Sequence, residues 1–497
     1  MNEKRIGFII GGLVFFGLLL IPAPGGLSAE AWRLVAVTGL MAVFWVTEAL
    51  PMGATSLIPI VAYPLLGILP SGEVTANYGQ NVIFLFMGGF FLAVTMEKWN
   101  LHRRIALSVV RLTGTTPSRV ILGFAVATVI IGMWVSNTAT AVMMIPIGIA
   151  VSKSLTGNAT DPDTQKKESN FSRSLMLMIA YAATISAVTT IIATPANAIA
   201  VSALYEMFGL EVSFFQWMVV GVPLGAFMLI IVWLILTKLL FRTGNLVLAG
   251  GAKDTIAQEL AKLGPMKIQE KLLLAVAGLM VLGWITRGFI STDAFPFMAM
   301  VTDTQISIFG ALLLFIIPAG SGGQLLDWKS ALNIPWGIIL LFGGGLAIAS
   351  AFTATGLAEW IGASLSEIEG LTLFTAVLIG TAVVRLLTEV TSNTAVAALF
   401  IPIMSAFAIA LEIHPFAMVM TVCFASSMCF AMPAATPPNA IAIGSGFVKP
   451  KDMAKAGWPL NFITTAILIF AIMIWLPLVW QVDISAMPQA VIDFLAR

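Results

Sequence analysis

Two short polar motifs lie inside long apolar stretches of the chain, and each motif occurs twice. Ser136-Asn137-Thr138 recurs as Ser392-Asn393-Thr394, and Thr194-Pro195 recurs as Thr436-Pro437. Ser, Thr and Asn are favoured at helix starts because their side chains accept hydrogen bonds from unpaired backbone amides, and Pro fits the first helical turn. The motifs therefore predict four helix starts whose amides and positive dipole ends hold an anion without a charged side chain.

The same breaks predict cation binding. A helical segment that ends just before each break leaves backbone carbonyls without partners, and these carbonyls, with Asn and Ser/Thr oxygens, suit a small hard cation. The alternative is a polar kink that helix packing satisfies. Four breaks in matched pairs favour binding sites, because non-helical backbone in a bilayer is tolerated where it lines a cavity.

The composition places these motifs in a membrane. The chain has 497 residues, of which 59% are hydrophobic and 10% charged, with a mean hydropathy of +0.99. Soluble chains carry roughly 25% charged residues, so lipid is the main solvent here. The net charge of +1 gives no basic excess for nucleic acid. Two cysteines and two histidines offer no disulfide framework or His-based metal centre. The absence of an ATP-binding loop and of a hydrolytic triad predicts a protein that is not an enzyme.

The predicted fold is an all-α polytopic membrane protein. Apolar stretches long enough to span predict eleven transmembrane helices, and two longer, interrupted stretches predict re-entrant helical hairpins. A removable signal peptide is the alternative for the first stretch. The spans are 6–21, 32–50, 54–69, 80–97, 173–207, 214–241, 270–290, 304–320, 334–352, 414–446 and 457–480, and the hairpins are 118–153 and 369–410.

The positive charges predict the orientation. With a cytoplasmic N-terminus, the loops assigned to the inside contain 21 Lys and Arg residues, the outside keeps three, and Arg385 lies in the second hairpin. The expected location is the cell inner membrane, with an external C-terminus.

An internal repeat organises the chain. Phe86–Phe90 resembles Phe342–Leu346 at the same offset of 256 residues as the Ser-Asn-Thr motifs, and the Thr-Pro motifs are 242 residues apart. Because the hairpins open on opposite sides, the repeats are inverted, as in many secondary transporters. The predicted scaffold consists of helices with a surface helix in 1–116 and further helices with a second surface segment in 208–368. The predicted transport domain consists of the first hairpin and broken helix in 117–207 and the second hairpin and broken helix in 369–446. A last helix and an external tail follow in 447–497.

Three further features carry local predictions. Arg385 and Glu389 are four residues apart on the first arm of the second hairpin and are expected to form an ion pair. Glu48 is expected to cap or pair at the end of its helix. The amphipathic stretch Leu101–Thr113 predicts a helix on the inner membrane surface.

The chain resembles the divalent anion:sodium symporter family from Thr47-Glu48-Ala49-Leu50-Pro51 to Asn439. The resemblance implies a homodimer in which an elevator-like transport domain moves against a scaffold. It implies that substrate carboxylates contact Ser136, Asn137, Thr138, Thr194, Pro195, Ser392, Asn393, Thr394, Thr436 and Pro437.

The resemblance also implies two sodium ions. The first would bind near Gly132, Ser136, Asn137 and Ala193, and the second near Thr388, Thr391, Asn393 and Ala435. Gly132 stands where some relatives have Ser, so the first site is expected to bind sodium more weakly. Gly132→Ser is expected to leave the sodium requirement unchanged or lower it.

The leading functional prediction is sodium-coupled uptake of a C4-dicarboxylate. A dianion in a site without Lys or Arg needs cations to offset its burial. The expected partners are a di- or tricarboxylate, co-transported Na+, membrane lipid and a second copy of the chain. The alternatives are a dicarboxylate exchanger without sodium coupling and a sodium symporter for sulfate or another oxyanion.

Overall fold

The computed structural model describes residues 3–114, 116–155, 161–243, 246, 251–288, 290, 300–320, 322–366 and 372–496. Within these ranges the regular structure is helical, and the extended pairing is limited to one bridge between Pro318 and Gln324. Helices are expected in a bilayer because they satisfy their backbone hydrogen bonds within one segment. The all-α prediction is confirmed for the described residues.

We number the helices in chain order. They are α1 Glu3–Leu20, α2 Ala29–Thr47, α3 Met52–Thr55, α4 Ile58–Leu65, α5 Ser71–Ala76, α6 Asn81–Lys98, α7 Leu101–Leu112, α8 Pro117–Gly132, α9 Asn137–Leu155, α10 Pro162–Ile185, α11 Pro195–Phe208, α12 Phe214–Leu234, α13 Gly251–Lys262, α14 Ile268–Arg287, α15 Asp303–Ile316, α16 Trp328–Ala331, α17 Trp336–Ala354, α18 Leu357–Ser366, α19 Leu373–Thr388, α20 Asn393–Ala410, α21 Pro415–Ser427, α22 Pro437–Gly444, α23 Pro450–Phe470, α24 Leu476–Trp480 and α25 Gln489–Leu495. Short π-helical segments, Ile235–Leu240 and Ala471–Trp475, continue α12 and α23.

Many of these helices are long and apolar enough to cross a membrane. Eight such segments occur in the described part of the chain, together with shorter apolar helices in the hairpins and between them. The polytopic prediction is therefore confirmed. The predicted span 54–69 is divided, since α3 and α4 meet at Ser56 and Leu57. Residues 369–371, where the second hairpin was predicted to begin, lie outside the described residues.

Both predicted hairpins and both broken helices are present. The first hairpin is α8 and α9, and the second is α19 and α20. The first broken helix runs from α10 through the short 3-10 turns Ser186–Val188 and Ile191–Ala193 into α11, and the second runs from α21 into α22. The four helix starts predicted from the polar motifs are the first residues of α9, α11, α20 and α22.

The two repeats are interlocked. The second piece of the first broken helix, α11, packs against α20 and α21 of the second repeat. In the same way α22 packs against α9 and α10 of the first repeat. Each broken helix therefore completes the opposite half of the molecule, and all four helix starts are drawn into one region.

The glycine-rich helices α6 and α17 allow close approach at equivalent positions. A Cβ atom on Gly344 would lie 2.7 Å from the Cβ of Ser56, and one on Gly88 would lie 2.3 Å from the Oγ of Ser307. A side chain at either position would push the packed helix away, so the repeated glycines set the spacing of the scaffold around the breaks.

The amphipathic stretch predicted to form a surface helix is α7. Its buried residues Ala106, Leu107 and Val110 lie on one face, Leu101 is buried at its start, and the helix packs against α8. Arg104 on this helix donates to Glu270 with its Nε atom at 2.6 Å, and a second ion pair joins Arg103 to Glu259 at 2.5 Å. These contacts fasten α7 to α13 and to the start of α14.

Candidate functional site

The two hairpin tips and the two helix breaks surround one cavity of about 670 Å³. Of the residues assigned to sodium alone, Ala193, Ala435 and Thr391 line this cavity, whereas Gly132 and Thr388 do not. Residues of both repeats, far apart in the sequence, thus line the same cavity. All the residues that the resemblance assigns to the substrate line this cavity: Ser136, Asn137, Thr138, Thr194, Pro195, Ser392, Asn393, Thr394, Thr436 and Pro437.

The four helix starts are capped unequally. Ser136 Oγ accepts a hydrogen bond from the Ala139 amide at 3.3 Å, and Thr436 Oγ1 accepts one from the Asn439 amide at 3.3 Å. Thr194 and Ser392 make no side-chain cap, which contradicts the expectation that each motif caps its own helix. The Ser392 hydroxyl instead faces the sulfur of Met52 at 3.7 Å. The first turns of α11 and α20 therefore keep amides that a ligand oxygen can bind.

An asparagine in each broken helix holds the unwound backbone in place. Asn197 Nδ2 donates to the carbonyls of Ala187 at 2.7 Å and Thr190 at 2.8 Å. Asn439 Nδ2 donates to the carbonyl of Met432 at 3.0 Å. This bond spans seven residues, as does the bond from Asn197 to Thr190. The sequence showed both asparagines within the repeat, but their positioning role was missed. The signal was present, since Asn follows each Thr-Pro at the same distance.

Each hairpin tip also bonds to its own broken helix, but with different chemistry. In the first half, Thr190 Oγ1 donates to the carbonyl of Met133 at 2.6 Å. In the second half, the Glu389 carboxylate accepts from the amides of Phe430 and Met432, each at 2.9 Å, and from the amide between them. A neutral contact braces the first break and a buried carboxylate braces the second.

The predicted ion pair between Arg385 and Glu389 is wrong. Arg385 Nη2 donates to Thr464 Oγ1 at 2.5 Å and to Asn461 Oδ1 at 3.1 Å. Asn461 Nδ2 then donates to Glu389 Oε1 at 2.6 Å. The carboxylate turns towards the unwound amides, which need an acceptor, so the two charges meet only through Asn461 of α23.

Of the residues assigned to the second sodium ion, Thr388 and Asn393 are in direct contact, and Cys429 links them to Ala435. Asn393 Oδ1 lies 2.5 Å from Thr388 Oγ1 and 3.4 Å from Cys429 Sγ. The same sulfur lies 3.9 Å from the carbonyl oxygen of Ala435. Thr391 is directed elsewhere, because its hydroxyl donates to the Leu387 carbonyl at 2.8 Å. Cys429, which is fully buried, was not anticipated from the sequence.

The residues assigned to the first sodium ion are arranged differently. Asn137 Oδ1 is buried and has no hydrogen-bond partner in the structure. Gly132 packs closely against the Ser186 side chain, because a Cβ at position 132 would lie 2.2 Å from Ser186 Oγ. A serine at position 132 would therefore have to displace the Ser186 side chain. The effect of Gly132→Ser on the sodium requirement stays a prediction.

The cavity is completed by residues near the end of α2, in α3 and in α17 that sequence reasoning did not assign to it: Val46, Thr47, Glu48, Met52 and Ile338. Glu48 follows the last residue of α2 and has a left-handed backbone, with φ of 48°. Of the described residues that line the cavity, none is Lys or Arg.

Comparison with known proteins identifies the family. A family model described as the sodium:sulfate symporter transmembrane region matches residues 3–481. The chain belongs to this family. The resemblance to the divalent anion:sodium symporters is thereby confirmed.

Relatives in two staphylococcal species match almost the whole chain. The sodium-dependent dicarboxylate transporter SdcS of Staphylococcus saprophyticus is 39% identical over 97% of this chain and 93% of its own length. The SdcS of Staphylococcus aureus strain USA300 is 41% identical, with 97% and 93% covered.

Two solved structures share the fold. The Alcanivorax borkumensis YdaH transporter has a TM-score of 0.57 at 14% identity, and the match covers 97% of this chain and 99% of that one. Neisseria gonorrhoeae MtrF has a TM-score of 0.54 at 10% identity, with 96% and 95% covered. At these identities the likeness concerns the fold alone.

Proposed function

We propose that this protein is a secondary transporter that takes up C4-dicarboxylates together with sodium. The observation that carries the proposal is the cavity itself, which four helix starts line and which has no Lys or Arg among the described residues of its lining. Backbone amides at helix starts bind carboxylates, but their partial charges do not balance a dianion in a membrane. Co-bound cations supply the missing positive charge.

In this proposal the substrate carboxylates bind at the Ser-Asn-Thr and Thr-Pro motifs. The uncapped starts of α11 and α20 offer their first-turn amides, and Ser392 and Thr194 keep their hydroxyls free of capping bonds. Sodium ions bind behind this wall, where Asn137 and Asn393 each contribute an amide oxygen. The asparagines thereby link each cation to the anion.

The relatives support a dicarboxylate as the cargo, since SdcS is named a sodium-dependent dicarboxylate transporter and matches over nearly the full length. The family model, whose description names sulfate, supports a second candidate, a sodium:sulfate symporter. Relatives that transport and a site that lacks a hydrolytic triad support a protein that is not an enzyme.

The mode of movement is also part of the proposal. Segments 117–207 and 369–446 form a transport domain, 1–116 and 208–368 form a scaffold, and 447–497 contains the last helix and an external tail. The chain works as an elevator within a homodimer. The interlocked packing of α11 and α22 supports one transport body, because each piece is held by the opposite repeat.

Uptake of labelled succinate into proteoliposomes tests the proposed function. We expect uptake that requires an inward sodium gradient and that unlabelled sulfate does not inhibit. Sodium-independent uptake that needs internal dicarboxylate would establish an exchanger, and sulfate uptake would establish the second candidate.

The site is tested by Asn393→Ala and Asn137→Ala. A hydrogen bond to a charged group is worth on the order of 1.5–3 kcal/mol, so each change should weaken succinate or sodium binding roughly tenfold or more. Thermal unfolding of each purified variant should stay close to that of the parent. Parent-like uptake in both variants would contradict the site.

A further inference from the structure

The wall behind the first hairpin tip contains two buried oxygens that nothing in the structure satisfies. Asn137 Oδ1 and Thr140 Oγ1 are both buried without a hydrogen-bond partner, and Thr140 is fully inaccessible to solvent. They are three residues apart at the start of α9 and so lie on the same face of its first turn. Buried polar groups are nearly always paired, so two orphans side by side indicate a missing ligand.

A hydroxyl from another element lies beside Gly132, near Thr140. Ser186, fully buried in the 3-10 turn that follows α10, places its Oγ 2.2 Å from the point where a Cβ of residue 132 would be. Thr140 Oγ1 lies 3.9 Å from that same point. Ser186 donates its hydroxyl hydrogen to the Ala183 carbonyl at 2.8 Å, which leaves oxygen lone pairs free to face Gly132.

We infer that Thr140 and Ser186 supply the hydroxyl ligands of the first cation site, which Asn137 completes. The three oxygens come from a hairpin tip and from the unwound part of the broken helix, so an ion between them joins the two elements. Neutral oxygens of this kind suit a small hard monovalent cation such as sodium. The inference rests on the proposed sodium coupling and deepens it.

The same arrangement explains the glycine at position 132. Position 132 has no side chain, and the hydroxyl of Ser186 fills the space where one would lie. The site keeps a hydroxyl at that point, but the hydroxyl comes from a different element. Because Ser186 supplies this hydroxyl, we expect the first cation site to be complete, in contrast to the weak site expected from Gly132 alone.

Single substitutions test the two hydroxyls. Ser186→Ala and Thr140→Val should each raise the sodium concentration for half-maximal succinate uptake roughly tenfold, since each removes one ligand of a charged group and nearly keeps the shape. Thr128→Val is the matched control: it removes a buried hydroxyl on α8 that only donates to the Phe124 carbonyl. Its sodium dependence should equal that of the parent.

A hydroxyl swap gives the sharper test. Gly132→Ser alone should impair sodium dependence, because its Cβ collides with Ser186, and Ser186→Gly alone should impair it by removing the ligand. The double variant Gly132→Ser with Ser186→Gly places a hydroxyl in the vacated space and should recover sodium dependence. No recovery, together with parent-like behaviour of Ser186→Ala and Thr140→Val, would overturn the inference.

A binding measurement separates this inference from the proposed function. Sodium should raise the unfolding temperature of the purified parent and of Thr128→Val, with choline as the ionic-strength control, and the increase should be smaller in Ser186→Ala and Thr140→Val. If the parent takes up succinate without sodium, the proposed function fails. If the parent requires sodium but both hydroxyl variants retain its full thermal shift and sodium dependence, only the assignment of the hydroxyls fails.

Discussion

At the scale of single residues, three oxygen atoms lie unusually close together at the second break. Thr388 Oγ1 lies 2.5 Å from Asn393 Oδ1 and 2.6 Å from the carbonyl oxygen of Ser426. A threonine has one hydroxyl hydrogen, so with the Asn393 amide oriented as here only one of these oxygen pairs has a hydrogen between its members. A cation beside Asn393 would bring all three oxygens into favourable contact.

This geometry predicts that Thr388→Val raises the sodium requirement. The change removes one oxygen from the cation and nearly keeps the shape, so half-maximal succinate uptake should need roughly tenfold more sodium. The KM for succinate at saturating sodium should change much less. The control is Thr381→Val on the same helix, where the buried hydroxyl donates only to the Val377 carbonyl at 2.6 Å. Identical sodium curves for the two variants would contradict the role of Thr388.

At the scale of elements, the two breaks use the same positions with different chemistry. The tip residues Met133 and Glu389 are 256 residues apart, and each contacts the broken helix of its own repeat. Helical backbone would pair its own amides, but the unwound segment Phe430–Met432 cannot, so it needs an outside acceptor. Glu389 provides that acceptor and Arg385 balances its charge through Asn461.

These contacts of Glu389 predict that Glu389→Gln lowers the stability of the protein more than the same substitution at other glutamates does. The amide group of Gln places a donor where three backbone amides and Asn461 already donate, and a lost bond to a charged group costs about 1.5–3 kcal/mol. Thermal unfolding of the purified protein should shift downward and uptake should fall. Glu359→Gln, on the exposed side of α18, makes the same chemical change and should behave like the parent. Equal unfolding temperatures for the two variants would refute the brace.

At the scale of the whole molecule, the orientation in the membrane stays a prediction from charge. The stretch before α10 and the helix α13 belong to the side that carries most of the Lys and Arg residues. The ion pairs from α7 to Glu259 and Glu270 agree with one shared side for α7, α13 and the start of α14. The C-terminal helix α25 is assigned to the opposite side.

Cysteine labelling tests this orientation. Asp163→Cys should react with a membrane-impermeant maleimide only after cells are permeabilised, whereas Gln489→Cys should react on intact cells. Both positions are exposed, and the two native cysteines are fully buried, so the background in the parent should be low. Labelling of position 163 on intact cells would invert the topology.

Sequence patterns were sufficient to predict the class of the molecule and to select residues that line one cavity. Apolar stretches set the helices, since a bilayer leaves the backbone few other ways to pair its amides. The four polar motifs fixed where helices start, because Ser, Thr, Asn and Pro act locally on the first turn. For the same reason, residues such as Asn393 and Thr436 could be assigned to one cavity before their distances were known.

The residues that complete the cavity and support its wall could be identified only from the packing of separate helices. The partner of Glu389 is Asn461, 72 residues away, and the hydroxyl that faces Gly132 comes from Ser186 on another element. The packing of α11 on α20 and of α22 on α9 likewise could not be predicted from the sequence repeat. Sequence patterns report interactions within a turn or two, whereas these contacts depend on how separate helices approach one another, which packing alone sets.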